Sequence, residues 1–195
     1  GSSDATPCLD QLASLLRLTS ELAGQQNTFL GSFPSEVRPE SVIPEAVELV
    51  TRYCGNDNLV IGAQSGSQRL LDHMQRGHTV IDVQRAVEIT LAAGLQANVD
   101  IIFGLPGETP EDLSLTFKLI DWLAERGARV HSHAFLPLPG TPWAHCPPGT
   151  IDEATAQKLG VLAGEGLQYG SWQKQVKQAQ QIATFISQLE DAERS

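Results

Sequence analysis

Residues 97–109 read Ala-Asn-Val-Asp-Ile-Ile-Phe-Gly-Leu-Pro-Gly-Glu-Thr, and this stretch decides the fold. A short apolar run carries a single carboxylate, Asp100. It breaks into Gly-Leu-Pro-Gly and opens a helix at Glu108–Thr109. A parallel strand delivers backbone and one acidic group to a ligand at the carboxyl end of its sheet in this way. The same grammar recurs along the chain. Apolar runs at Asn27–Phe33, Leu59–Gln64 and Arg129–Leu136 each lead into a loop rich in Gly, Ser or Pro.

Helical spacing fills the intervals. Leu9, Leu12, Leu15, Leu16, Leu18 and Leu22 mark a helix over 7–24. Ala46, Val47, Leu49 and Val50 mark another over Pro44–Tyr53. Helices are expected over 67–75, over 80–93 behind a Thr79 cap, and over 109–126 closed by Gly127. Two more, about 151–166 and 171–190, follow the loop Pro137–Pro148. Strands alternating with long helices imply βαβ units, a parallel sheet and right-handed crossovers. The expected class is α/β: a partial, half TIM-like barrel of about four parallel strands with flanking helices. Residues 4–148 form the barrel part, and 149–195 form a C-terminal helical extension packed on it. Four strands leave two open edges unless the chain continues, pairs with a second copy or covers them with helices. A homodimer through exposed barrel edges is one expected solution.

The chain has 195 residues, 41% hydrophobic and 6% aromatic, enough for one globular core. No apolar run approaches the roughly 20 residues that cross a bilayer, so a cytoplasmic protein without membrane contact is expected. The net charge of −10 weighs against nucleic-acid binding, which needs clustered Lys and Arg, and favours a small-molecule substrate. The three cysteines, Cys8, Cys54 and Cys146, have neither disulfide nor zinc-site spacing.

Strand alternation sorts the side chains. Val99, Ile101 and Phe103 suit the helix side and leave Asp100 opposite. Val130 and Ala134 do the same and leave His131 and His133. Leu59, Ile61 and Ala63 leave Gly62 and Gln64. A sheet face carrying Gln64, Asp100, His131 and His133 beside glycines is a binding surface. Each group has a plainer reading as well. The histidines can be hydrogen-bonded inner-face residues, and as an i, i+2 pair they lack a third metal ligand of sensible spacing. Asp100 can tie down a loop amide, and Gln64 before Ser65-Gly66-Ser67 can serve the turn. Glu36 and Arg38 can form a surface ion pair. Arg76 can complement its helix end.

Taken in order, Gln64-Ser-Gly-Ser67, Arg76-Gly-His78 and Asp100-Ile-Ile-Phe-Gly-Leu-Pro-Gly-Glu-Thr109 resemble the second half of a radical S-adenosylmethionine (SAM) barrel. With Phe33-Pro-Ser-Glu-Val-Arg-Pro-Glu-Ser-Val42, the His131/His133 strand and Pro137-Leu-Pro-Gly-Thr-Pro142, the likeness is greatest to Fe–S oxidoreductases that join a cobalamin-binding domain to a radical SAM domain. It spans roughly residues 26–145. The resemblance implies a SAM site. Glu36 matches the carboxylate that receives the methionine ammonium group, and Arg76 the group that pairs the methionine carboxylate. Gln64 and Asp100 match the ribose-binding groups, with Ser65 beside them. Gly104 matches backbone approached by adenine. Arg38, His131 and His133 are the expected substrate contacts.

The family's cluster-binding C-x-x-x-C-x-x-C is absent from this chain, and its three cysteines cannot replace it by spacing. The expectation is a C-terminal portion of a longer enzyme, with the 4Fe–4S cluster and any cobalamin held outside this chain and no catalysis by this portion alone. The intact enzyme would cleave SAM reductively to a 5′-deoxyadenosyl radical and, in a cobalamin-linked version, transfer a methyl group. Two other readings stay open: a non-catalytic half-barrel that binds a ligand or dimerises, and an ordinary barrel lyase or hydrolase using His131, His133 and Asp100.

Overall fold

The computed structural model describes residues 7–193, with side chains to residue 188. Its centre is one parallel sheet of four strands: β1 (Asn58–Gln64), β2 (Gln96–Phe103), β3 (Arg129–Ala134) and β4 (Gln168–Tyr169), in the spatial order of the sequence. Helices α1 (Leu9–Ala23) and α2 (Pro44–Tyr53) precede the sheet. Between β1 and β2 lie α3 (Gln68–His73) and α4 (Val80–Ala92), and α5 (Pro110–Glu125) links β2 to β3. After β3 come α6 (Glu153–Gly164), which leads into β4, and α7 (Trp172–Glu193). The α/β half-barrel read from the sequence is therefore present.

One strand differs from its expected position. Asn27–Phe33 does not form a strand. A 3-10 turn occupies Gln25–Asn27, and Ser35 N–H bonds to Ser32 O. Gly31 takes φ +64°, a left-handed conformation that ends an extended run. What survives is edge cover: Val60 N–H bonds to Gly31 O, and Val37 makes a single parallel bridge to Ile61. The fourth strand is instead β4, whose two residues pair with Val130 and His131. Two residues between Gly166 and Gly170 are too few to show a period.

The helix-facing side of the sheet matches the alternation. Ile61, Val99, Ile101, Phe103 and Leu123 are each at most 1% exposed in one continuous core, and each burial contributes about 1.5–3 kcal/mol. Leu159 of α6 joins the same core. Thr79 and Thr109 each close a capping box, with Asp82 and Asp112 respectively, at about 1 kcal/mol per cap. Asp112 does more. Its buried carboxylate also receives Ser67 Oγ and the Arg69 guanidinium. Those bonds, Arg69's the strongest, hold it well below the usual carboxylate range. The turn after β1 is thereby tied to the first turn of α5.

Glu108 is in the opposite condition. Burial, and then the neighbouring carboxylates Asp112 and Asp152, push it up to about 7 against one hydrogen bond from Gly104 N–H. Its Oε1 is buried without a partner. A carboxyl raised in the folded state favours folding while protonated. That contribution is complete below the ordinary value of 4.5 and is lost as the pH climbs through 7. Glu108→Gln should therefore flatten the fall in stability between pH 5 and pH 8 by about 2 kcal/mol in urea unfolding. Parallel curves for the two proteins would refute this.

Candidate functional site

The face of the sheet away from the helices is polar, and the parallel register sets its residues level. Gly62 pairs with Asp100, Asp100 with His131, and His131 with Tyr169. These four residues form one row across the sheet. At its β1 end the row has no side chain, and the space is filled from outside. The Glu36 carboxylate lies over Gly62, where a methyl group would stand 2.5 Å from it. The register of β1 slips between Gly62 and Gln64, and Gln64 takes φ +68°. This bulge turns the Gln64 amide back onto Glu36, to which its NH2 donates at 2.9 and 2.8 Å. Arg76, in the loop after α3, donates to the same carboxylate at 3.2 Å and to Gly62 O at 3.3 Å.

At the middle of the row, His131 Nδ1 lies 3.0 Å from Asp100 Oδ1, and His133 Nε2 lies 3.6 Å from the same oxygen. Burial alone would raise the Asp100 carboxyl. The N–H groups of His131 and His133 outweigh it and hold Asp100 below the ordinary carboxylate value. The His131 ring is stacked on Tyr169 at 4.5 Å with 5° between planes, and Phe33 makes an edge contact with it at 6.1 Å between ring centroids. Gln175 of α7 reaches His133 Nδ1 at 3.0 Å.

These ends share one cavity of about 400 Å³, within the range of small-ligand pockets. Glu36, Gln64, Arg76 and Asp100 all line it, together with His133 and Gln175. Its apolar side is the smaller core cluster, where Leu105 and Phe135 pack with Ile102 and Trp143. The cavity is thus charged at the β1 end, carboxylate-lined over β2 and apolar beside the loops after β2 and β3.

Of the residues read from the sequence, Glu36, Gln64, Arg76, Asp100 and His133 meet in this cavity. His131 stands behind it, in contact with Asp100. Ser65 is kept out: it is fully buried, with its hydroxyl 3.2 Å from Thr116 Oγ1. Gly104 serves the chain itself. A side chain there would meet Thr150 backbone atoms at 2.7 Å, because residues 149–150 cross over it. Arg38 lies beyond the lining, donating to Arg76 O and pairing with Glu40 rather than Glu36. Sequence reasoning missed Gln175 and Tyr169, which sit among polar helix residues and beside glycines. It set Asp100 on the same face as the two histidines but named no third metal ligand for them. Asp100, His131 and His133 are the group of possible metal ligands among the described residues, their donor atoms within 4.8 Å of one another. Only the strand register reveals Asp100 as the third.

Residues 2–120 match the Radical SAM superfamily, and the chain belongs to it. The tRNA-2-methylthio-N(6)-dimethylallyladenosine synthase of Shewanella denitrificans is 36% identical over 157 residues, covering 77% of this chain and 31% of that protein. The synthase of the same name from Yersinia enterocolitica is 33% identical over 155 residues with the same coverage. The chain spans about a third of the length of these curated relatives. Among solved structures, the radical SAM methyltransferase TsrM from Kitasatospora setae, with cobalamin and a 4Fe–4S cluster bound, superposes with a TM-score of 0.53. That match has 21% identity over 70% of this chain and 26% of that one, so the likeness is one of fold.

The cysteines do not fit a cluster. Cys8 is exposed at the start of α1, Cys54 is buried behind α2, and Cys146 lies in the loop after β3. Burial raises the Cys54 thiol, the opposite of what a ligating thiolate needs. Among the described residues, no helix is long and apolar enough to cross a membrane.

The contact at Gly62 gives a direct test of the charged end. Gly62→Ala should force the Glu36 carboxylate off its partners and destabilise by about 1–3 kcal/mol in urea unfolding. Gly160→Ala, in α6 with nothing within 4 Å of the new methyl, should stabilise by about 0.5–1 kcal/mol. A neutral Gly62→Ala would mean that the carboxylate does not depend on this close approach.

Proposed function

We propose that the cavity holds SAM, and that the chain supplies the SAM-binding part of a radical SAM enzyme. The observation that carries this reading is the convergence of Glu36, Gln64, Arg76 and Asp100 on one pocket. The methionine end of SAM is a zwitterion. The Glu36–Arg76 pair presents it with opposite charges already side by side: the carboxylate for the ammonium group and the guanidinium for the carboxylate. Gln64 keeps Glu36 aimed by donating to both of its oxygens. Asp100 is buried and kept ionised, and so accepts from a ribose hydroxyl. The apolar side beside Ile102 and Trp143 takes the flat base.

When bound, SAM supplies on reductive cleavage the hydrogen-abstracting radical of the superfamily. The residues of this chain bind and orient it and keep its charged end paired. The cluster is not held here, because the three thiols lie apart on α1, behind α2 and after β3. On this reading the chain alone binds SAM without turning it over. Cobalamin and methyl transfer belong to the same proposal at the level of the longer enzyme. The named relatives act on tRNA. With a net charge of −10, this part of the protein reads a small ligand and leaves RNA contact to other residues. Three free thiols fit the reducing cytoplasm.

Equilibrium dialysis of the purified chain against SAM should show saturable binding at one site. Arg76→Ala and Asp100→Asn should each weaken it by about tenfold or more, since each removes a charge-assisted hydrogen bond. No saturable binding by the folded chain, or equal binding by both variants, would overturn the proposal.

A further inference from the structure

The contacts around His133 fix where its proton sits. The backbone N–H of Ala134 donates to one atom of the Gln175 side-chain amide at 2.9 Å. A backbone N–H can only donate, so that atom is the carbonyl oxygen, Oε1. The other amide atom is therefore the NH2 group, and it lies 3.0 Å from His133 Nδ1. His133 Nδ1 must then accept, which leaves the ring proton on Nε2. That N–H is turned toward Asp100 Oδ1, 3.6 Å away. The same oxygen lies 3.0 Å from His131 Nδ1. A carboxylate oxygen only accepts, so His131 carries its proton on Nδ1. Two histidines on one strand are thus held as opposite tautomers, both aimed at Oδ1. Among the described residues, no hydrogen bond reaches Oδ2 of Asp100, although Asp100 lines the cavity.

We infer that Gln175 is a positioning residue: by fixing His133 as its Nε2–H tautomer, it turns a second N–H toward the oxygen of Asp100 that His131 already occupies and leaves the other oxygen of Asp100 to accept from the ligand. The identity of that ligand as SAM, with a ribose hydroxyl on Oδ2, rests on the function proposed above. The tautomer assignment does not. The chain of donors runs from the β3 backbone through an α7 side chain to the carboxylate, so α7 takes part in setting the pocket. It also decides how the Asp100–His131–His133 group is used. A metal ion needs the lone pair of a ring nitrogen. The His133 nitrogen facing the group carries a proton instead, and Gln175 opposes moving that proton to Nδ1. The three residues thus form a carboxylate hydrogen-bonded to His131 and faced by the His133 N–H, not an open set of metal ligands.

Long-range nitrogen–proton NMR of the histidine rings in the full chain at neutral pH tests this. The expected pattern is a proton on Nε2 of His133 and on Nδ1 of His131, unchanged by one equivalent of Zn²⁺. Gln175→Glu replaces the donor facing Nδ1 with an acceptor, and should place a proton on Nδ1 of His133. Gln175→Ala should weaken SAM binding about tenfold while leaving the circular dichroism spectrum intact. A wild-type His133 protonated at Nδ1, or a shift of both histidines with Zn²⁺, would overturn the relay. Unchanged SAM affinity in Gln175→Ala would overturn the positioning role. The expected tautomers in a protein that binds no SAM would leave the relay standing and remove the SAM reading instead.

Discussion

The site depends on the register of a parallel sheet. Gly62, Asp100, His131 and Tyr169 are partners in successive ladders, so their side-chain positions fall in one row on one face. Adjacent strands stand about 4.8 Å apart, close enough for a carboxylate on one to accept from an imidazole on the next. A slip of one residue in β2 would carry Asp100 to the helix side as an unpaired buried charge and turn Val99, Ile101 and Phe103 out of the core. The same alternation that builds the apolar core therefore fixes the polar row. Core and site are two faces of one constraint, and neither can be shifted alone.

The row also shows how a buried carboxylate is kept ionised. Two buried acids lie against particular donors and are held low: Asp100 against two histidines, Asp112 against Arg69, Ser67 and Thr109. Glu108 receives only Gly104 N–H and has Asp112 and Asp152 as negative neighbours, and it alone of these is raised. Burial is common to all of them. The partners decide the sign.

Much of this was legible in the sequence. Alternation placed Asp100, His131, His133 and Gln64 on one face, because a period of two survives in strands of six to eight residues. The Thr79 cap and the turn after β2 were legible because capping and glycine chemistry are local. The pairings were not. That Glu36 sits on Gly62, and that Arg38 turns to Glu40, depends on how the loop over 28–37 crosses the sheet edge, which no periodic signal records. Gly104 shows the limit from the other side. The need for a glycine there was readable, but what approaches it is residues 149–150, some 45 positions later in the chain. β4 was hidden because two residues carry no pattern.

The part of the chain that matches the superfamily ends at residue 120, and it contains Glu36, Gln64, Arg76 and Asp100. The groups that orient Asp100 all lie beyond it: His131 and His133 on β3, Tyr169 on β4 and Gln175 on α7. Gly170 is what lets the last of these close in. It takes φ +124°, and a side chain there would stand 2.9 Å from His131 Cδ2 and collide with the β3 backbone. With no side chain at that point, the chain turns tightly against β3, stacks Tyr169 on His131 and starts α7 close enough for Gln175 to reach His133. The matched part thus supplies Glu36, Gln64, Arg76 and Asp100 to the cavity, and the later part supplies the groups packed against Asp100 together with much of the remaining lining.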